Sequence, residues 1–209
     1  MDLTIRQAHT QEYEALGAVV ARAYRADGLL DFEESDGYEE QLRDVAGRAA
    51  AARILVAVDG GTGGSGAGGG GTDESGTGGR AGGGGTDGRE GDGGRVLGDR
   101  VLGGVTFVES GGPMAELARA GEAEIRMLAV APDARGRGAG EALVRACVER
   151  ARAVEGCVRV ILSTQPTMHA AHRLYERLGF VRVPERDWLP VPDVRLLAYE
   201  LELRPGSLP

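Results

Sequence analysis

Apolar residues recur along this chain with two periods, and the switches between them lay out a series of strands and helices. Leu3 and Ile5 alternate with Thr4 and Arg6, which predicts a first strand over 3–8. Leu16, Val19, Val20 and Ala23 follow helical spacing behind a capping Thr10, so a helix is predicted near 11–24. A second helix is expected over about 37–51. Ile54, Leu55, Val56 and Val58 form a nearly continuous apolar run, the mark of a buried strand over 53–58. Residues 95–109 read as one bent strand or a tight hairpin. Over 122–130, Ile125, Met127 and Ala129 alternate with Glu124, Arg126 and Leu128, a further strand. Leu143, Cys147, Val148, Ala151 and Val154 make the inner stripe of a helix over 138–154. A buried strand over 158–163 follows, then a helix over 167–178 closed by Gly179. Strands over 180–183 and 194–203 complete the order β-α-α-β-β-β-α-β-α-β-β. Hairpins and βαβ units together imply an α+β fold, an α/β mixed sheet flanked by helices.

Glycine interrupts this pattern. Of 36 glycines, 20 fall between Asp59 and Gly94, among Thr, Ser and Asp. Such a stretch cannot bury enough apolar area to offset its ordering entropy, so it is expected to be a disordered insertion. Lengthening a flexible loop costs little, since closure entropy grows only logarithmically. The 58 residues before it lack strands enough for their own core. The reading is therefore one domain over 1–209 with an overgrown loop at 59–94, rather than two domains and a linker.

The net charge of −8 argues against nucleic acid, and against an anionic membrane surface, as the main partner. No apolar run approaches the ~18 residues of a membrane span, and no charged segment followed by an apolar one opens the chain, so a cytoplasmic protein is expected. Cys147 and Cys157 read as free thiols in apolar segments, which fits a reducing compartment. All 24 basic residues are arginine.

That last fact sharpens the reading of Arg135-Gly136-Arg137-Gly138-Ala139-Gly140, a glycine-rich loop between a buried strand and a helix start. Glycines let backbone N–H groups converge, and a helix N-terminus adds free N–H groups and a positive dipole end. The result is an anion site sized for a pyrophosphate. A Walker loop requires lysine, which this chain lacks. A dinucleotide fingerprint requires G-x-G-x-x-G, and Gly136, Gly138 and Gly140 have other spacing. An R-x-x-G-x-G loop fits at Arg135, Gly138 and Gly140; a turn without ligand is its rival.

Val130-Ala-Pro-Asp-Ala-Arg-Gly-Arg-Gly-Ala-Gly140 resembles the acetyl-CoA loop of the GNAT superfamily of acyl-CoA N-acyltransferases. Ala171-His-Arg-Leu-Tyr-Glu-Arg-Leu-Gly-Phe180 resembles that superfamily's second signature helix, A-x-x-L-Y-x-x-x-G-F, and stands in family order. The resemblance covers the element order from residue 3 to residue 203, the glycine tract excepted. It implies a mostly antiparallel sheet with a V-shaped gap between the strands at 122–130 and 157–163. It implies acetyl-CoA as acyl donor, no metal, and an amine acceptor, either small molecule or peptide. Leu128, Ala129 and Val130 would line the pantetheine arm. The loop from Arg135 through Gly136, Arg137, Gly138, Ala139 and Gly140 to Glu141 would bind pyrophosphate.

The same resemblance implies Tyr175 as the acid that protonates the leaving thiolate, against a purely structural role in the core. It implies Glu124 as a general base, with Glu122 a weaker substitute, against a plain strand glutamate. Many relatives carry asparagine where this chain has Met168, so a pantetheine contact there is not expected. His169 and His172 read as a helix-surface pair rather than a metal site. Trp188 is expected to pack under a loop, with the acceptor pocket as its alternative place. The acidic stretch 27–40 either forms a wall that attracts a cationic amine, through Glu33 and Glu34 among others, or is a solvated loop. A homodimer is compatible with the family, and so is an inactive acyl-CoA sensor that keeps the loop without turnover.

Overall fold

The computed structural model describes residues 2–33, 35–60, 95–96 and 99–203. Strand β1 (Asp2–Gln7) leads through a short 3-10 turn into helix α1 (Tyr13–Ala26). The single helix expected over 37–51 is two helices, α2 (Ser35–Arg43) and α3 (Val45–Ala51). Asp44 causes the break: its Oδ1 accepts the Gly47 N–H at 2.8 Å and caps α3. Strand β2 (Arg53–Gly60) follows, two residues longer than expected, so Asp59 and Gly60 are strand and not insertion. The rest of the predicted insertion, 61–94, lies outside the described residues. Strand β3 (Arg95–Val96) and strand β4 (Asp99–Val108) form a hairpin, the second of the two arrangements expected there. Strand β5 (Glu122–Val130), helix α4 (Ala139–Arg152), strand β6 (Arg159–Thr164) and helix α5 (His169–Arg177) come next. Strands β7 (Val181–Arg182), β8 (Trp188–Val191) and β9 (Val194–Glu202) close the chain. Strand β8, with two prolines nearby, has no apolar alternation and was not predicted.

The sheet runs β1-β2-β4-β5-β6-β9-β7, with β3 added beside β4 and β8 beside β9. Every pairing is antiparallel except β5 with β6. This is the mixed, mostly antiparallel sheet that was expected. Strand β4 is buried on both faces from Val101 to Val108, because α1 and α4 both pack on β4 and β5. Leu16, Phe107, Leu143 and Leu162 are core residues exposed by 1% or less.

Helix α1 lies close on the sheet because Gly104 has no side chain. A Cβ there would fall 2.7 Å from Leu16 Cδ1 and 2.9 Å from the Leu55 carbonyl. Gly104→Val is therefore expected to destabilise by about 2–3 kcal/mol, the range for overpacking a filled core. Chemical denaturation, with the midpoint lowered at unchanged slope, checks this.

Two irregularities open the sheet. Strand β5 pairs Arg126 with Thr106 and Ala129 with Gly104, so three steps on β5 match two on β4. Met127 takes a φ of 51° inside this bulge, the only described non-glycine residue with positive φ. The bulge corrects the simple alternation read from sequence. Arg126 is followed on its face by Ala129, not by Leu128. On its other side β5 pairs with β6 only from Glu122 to Ile125. Beyond Ile125 and Leu162 the two strands part, while β6 stays paired with β9 as far as Thr164. The V-shaped gap is thus present, and it begins four residues into β5.

Candidate functional site

The gap separates two cavities that share Tyr24, Leu29 and Met168 in their walls. One, of about 640 Å³, lies beside the glycine loop. The other, of about 430 Å³, lies between β5, β6, α2 and β8.

The first cavity is built from the end of β5 and the start of α4. Leu128, Ala129 and Val130 line it, on the strand edge that has lost its β6 partner. Ala131 to Arg135 turn through a 3-10 segment headed by Pro132. Gly136 and Gly138 then take φ values of 74° and 82°, which branched residues resist. A Cβ at either would meet no protein atom within 4 Å, so the loop backbone faces open space. Gly138 is the N-cap of α4, and no side chain caps that helix. Its first-turn amides therefore have no internal acceptor, and they sit at the positive end of the dipole. Of the expected loop residues, Arg135, Gly136, Gly138, Ala139, Gly140 and Glu141 line the cavity, and Arg137 does not. The open cradle fits an extended anionic ligand with a phosphate group at the helix start.

The arginine expected to reach that phosphate is engaged elsewhere. Arg135 forks onto Asp27 at 2.7 and 2.9 Å, and its Nε donates to the Val130 carbonyl at 3.3 Å. Glu141 accepts from Arg177 at 2.7 Å and from Arg145 at 2.9 Å. These two contacts hold its carboxylate below the usual range, that of Arg177 most strongly.

Tyr175 is buried in the wall of the same cavity, with Phe180 and Tyr199 rings 5.9 and 6.0 Å away. Burial first, then the nearby Cys147 and Tyr199, raise its pKa above the ordinary 10. The hydroxyl keeps its proton across the working range. Cys147, behind it, is pushed by burial up to about 12 and is an inert thiol. Met168 caps the start of α5 where the two cavities meet, and its sulfur accepts from Thr164 Oγ1 at 3.2 Å. His172 contacts the Gln165 carbonyl at 3.0 Å and packs on Tyr199.

Glu124 is in a different position from the one its expected role requires. It is 1% exposed and lines neither cavity. Its Oε2 accepts the N–H groups of Glu116, Leu117 and Ala118 at 2.9, 2.9 and 3.0 Å. Three backbone donors occupy the lone pairs of Oε2, and Oε1 lies 3.8 Å from Arg126 Nε. The carboxylate organises the 114–121 turn. Glu124→Gln, which keeps an accepting oxygen, is expected to lower the melting temperature and to leave kcat within about threefold. A loss beyond a hundredfold at unchanged fold would restore the base.

Glu122 is pinned more firmly still. Its carboxylate takes Arg186 at 2.8 and 2.9 Å, Arg159 at 3.0 Å and the Arg119 N–H at 2.9 Å. Burial works to raise its pKa, but Arg186, the Arg119 amide and Arg159 outweigh it and hold the group at about 2.

The second cavity answers the two questions left on the acceptor side. Trp188 lies in its wall, so it belongs to the pocket, and its indole N–H is buried without a hydrogen-bond partner among the described residues. Among the described residues the acidic stretch borders this cavity through Leu29, Phe32, Gly37 and Tyr38, not through its carboxylates. Asp31, Glu33, Asp36 and Glu40 are exposed, and Glu39 is taken by Arg25 and Arg43. Glu34 lies outside the described residues.

The sequence profile of the family described as "Acetyltransferase (GNAT) family" matches residues 89–180, which include both the glycine loop and α5. The matched span is 92 of the 209 residues, a little under half of the chain. GNAT folds from several bacteria superpose over nearly the whole chain. An acetyltransferase of GNAT family from Staphylococcus aureus Mu50 is 11% identical with a TM-score of 0.62, covering 97% of this chain and 100% of its own. An acetyltransferase from Streptococcus agalactiae 2603 is 14% identical with a TM-score of 0.60, covering 96% and 98%. The yncA protein of Salmonella typhimurium, solved with its cofactor acetyl-CoA, is 16% identical with a TM-score of 0.54, covering 100% and 98%. No curated protein matches in sequence. The profile match supports acyl transfer in general. Among the described residues no helix is long and apolar enough to cross a membrane.

Proposed function

We infer that this GNAT protein transfers an acetyl group from acetyl-CoA to a primary amine by direct attack while both are bound. The observation that carries this reading is the pair of cavities meeting at the β5–β6 gap, with a glycine cradle on one side and Tyr175 at the junction's donor wall. The Salmonella relative solved with acetyl-CoA supports the choice of donor.

Each group has a stated task. The amides from Gly138 to Glu141 hold the pyrophosphate, and Arg135 exchanges Asp27 for phosphate as it enters. The free edge of β5 at Leu128–Val130 pairs with the amide groups of the pantetheine arm. The donor supplies a thioester already activated for attack. Tyr175 donates its hydroxyl proton to the departing sulfur and is reprotonated by the proton the amine gives up. The carboxylate beside the acceptor cavity, Glu116, is held by Arg126, so the amine loses its extra proton to solvent before it attacks. The setting is cytoplasmic, with no nucleic acid or membrane partner, and one chain carries both cavities.

Free-thiol release with acetyl-CoA across an amine panel tests this, alongside calorimetric titration with CoA. The expected result is amine-dependent thiol release. CoA binding with no release from any amine would replace the enzyme by an acyl-CoA sensor.

A further inference from the structure

The acceptor cavity has a composition unlike that of the chain around it. Nine aromatic residues occur in the whole sequence, and four of them, Tyr24, Phe32, Tyr38 and Trp188, line this one space. They come from four segments: the end of α1, the turn after it, α2 and β8. Three of the rings pack together, with Tyr24 and Tyr38 centroids 6.1 Å apart and Phe32 and Tyr38 6.2 Å apart, both pairs tilted, and Trp188 lines the same wall. Tyr24, Phe32 and Tyr38 stand within 15 residues of one another, and the fold brings Trp188 to them from 150 residues further on.

The charges on the wall cancel. Among the described residues Arg126 and Glu116 are the only charged ones lining it, and they bond each other at 2.6 Å. Arg126 also donates to the Met114 carbonyl at 2.5 Å. A polyamine needs several unpaired carboxylates, and a free amino acid needs an unpaired cation for its α-carboxylate. Neither is offered. The cavity, about 430 Å³, stands near the lower end of the ~300–1,000 Å³ usual for small-molecule sites.

We propose that the acceptor is a primary amine carried on an aromatic body, an arylalkylamine in chemical class, whose ring lies among Tyr24, Phe32, Tyr38 and Trp188. The proposal rests on the amine acetyltransferase reading and narrows it. Ring-on-ring packing holds the body, and the neutral amine points through the gap toward the thioester.

The chain contains one tryptophan, so intrinsic indole fluorescence reports this cavity alone. Two measurements are made on the full chain. The first compares thiol release from acetyl-CoA with 2-phenylethylamine, n-butylamine, spermidine and glycine. The kcat/KM for 2-phenylethylamine is expected to exceed each of the others by at least about tenfold, the scale on which a shaped apolar pocket discriminates. Phe32→Ala and the milder Phe32→Leu are expected to collapse the ratio of 2-phenylethylamine to n-butylamine toward one. The second titrates 2-phenylethylamine against Trp188 emission with CoA present, and a saturable change is expected. Spermidine or glycine as the preferred acceptor, or turnover without preference, overturns the proposal and leaves the acetyltransferase reading standing. A saturable Trp188 response with no thiol release from any amine keeps the ring site and overturns the transfer reading. Silence in both measurements overturns both.

Discussion

Tyr175→Phe is expected to lower kcat about a hundredfold while the KM for acetyl-CoA stays within about threefold. The ring fills the same space beside Phe180 and Tyr199, so packing and donor binding survive. What is lost is a proton beside the departing sulfur. The pH dependence sharpens the test. Burial raises the Tyr175 pKa above 10, so wild-type activity shows no alkaline loss from this group up to about pH 10. Steady-state kinetics over pH 6–10 for both proteins decide it. A variant with wild-type kcat would remove Tyr175 from the chemistry.

The largest effect on stability is expected at Glu122. Replacing Glu122 by alanine leaves the buried guanidinium of Arg186 without its carboxylate, a loss of about 3–5 kcal/mol. Removing both charges with Glu122→Leu and Arg186→Met is expected to cost less than either single change, because the buried guanidinium leaves with its carboxylate and Arg159 keeps Glu200 and Glu202. The linkage runs in the acid direction. The folded pKa of about 2 lies below the ordinary 4.5, so this carboxylate stabilises fully above pH 4.5. Its contribution, on the order of 3 kcal/mol, is lost as pH falls from about 4.5 to about 2. Urea midpoints at pH 7 and pH 3 for wild type and Glu122→Gln measure it; an equal pH dependence in the two would refute the assignment.

Much of the donor side was readable from residue order. The 135–140 loop needs glycines for its positive φ values and a helix directly behind it, and both requirements are written in consecutive residues. The Ala171–Phe180 segment is equally local. Where long-range pairing decides, sequence periodicity fails. Glu124 and Glu122 occupy alternate strand positions, as a base and its substitute would. Their partners are the amides of 116–119 and the arginines at 159 and 186, and no spacing in the chain announces them. The bulge at Met127 is another case, since an apolar residue there looks like any other strand position. Strand β8 is a third: it exists because β9 offers an edge to Trp188 and Val191, not because its own residues alternate. The acceptor cavity depends on all three, which is why it was the less legible half.

The way β5 and β6 join has a mechanical consequence. Their four rungs begin at Glu122 and Arg159, the site of the arginine cluster, and end at Ile125 and Leu162. One end of this joint is riveted by ion pairs and the other is free. From Ile125 to Val130 the strand extends five residues, a lever arm of about 17 Å at ~3.3 Å per residue. A twist of about 5° at the rungs would therefore move the tip by roughly 1.5 Å, enough to admit or grip a ligand chain without breaking a single rung. The ion-paired end at Glu122 is where any flexing between the two halves of the sheet would pivot, since β5 stays bound to β4 as far as Val130.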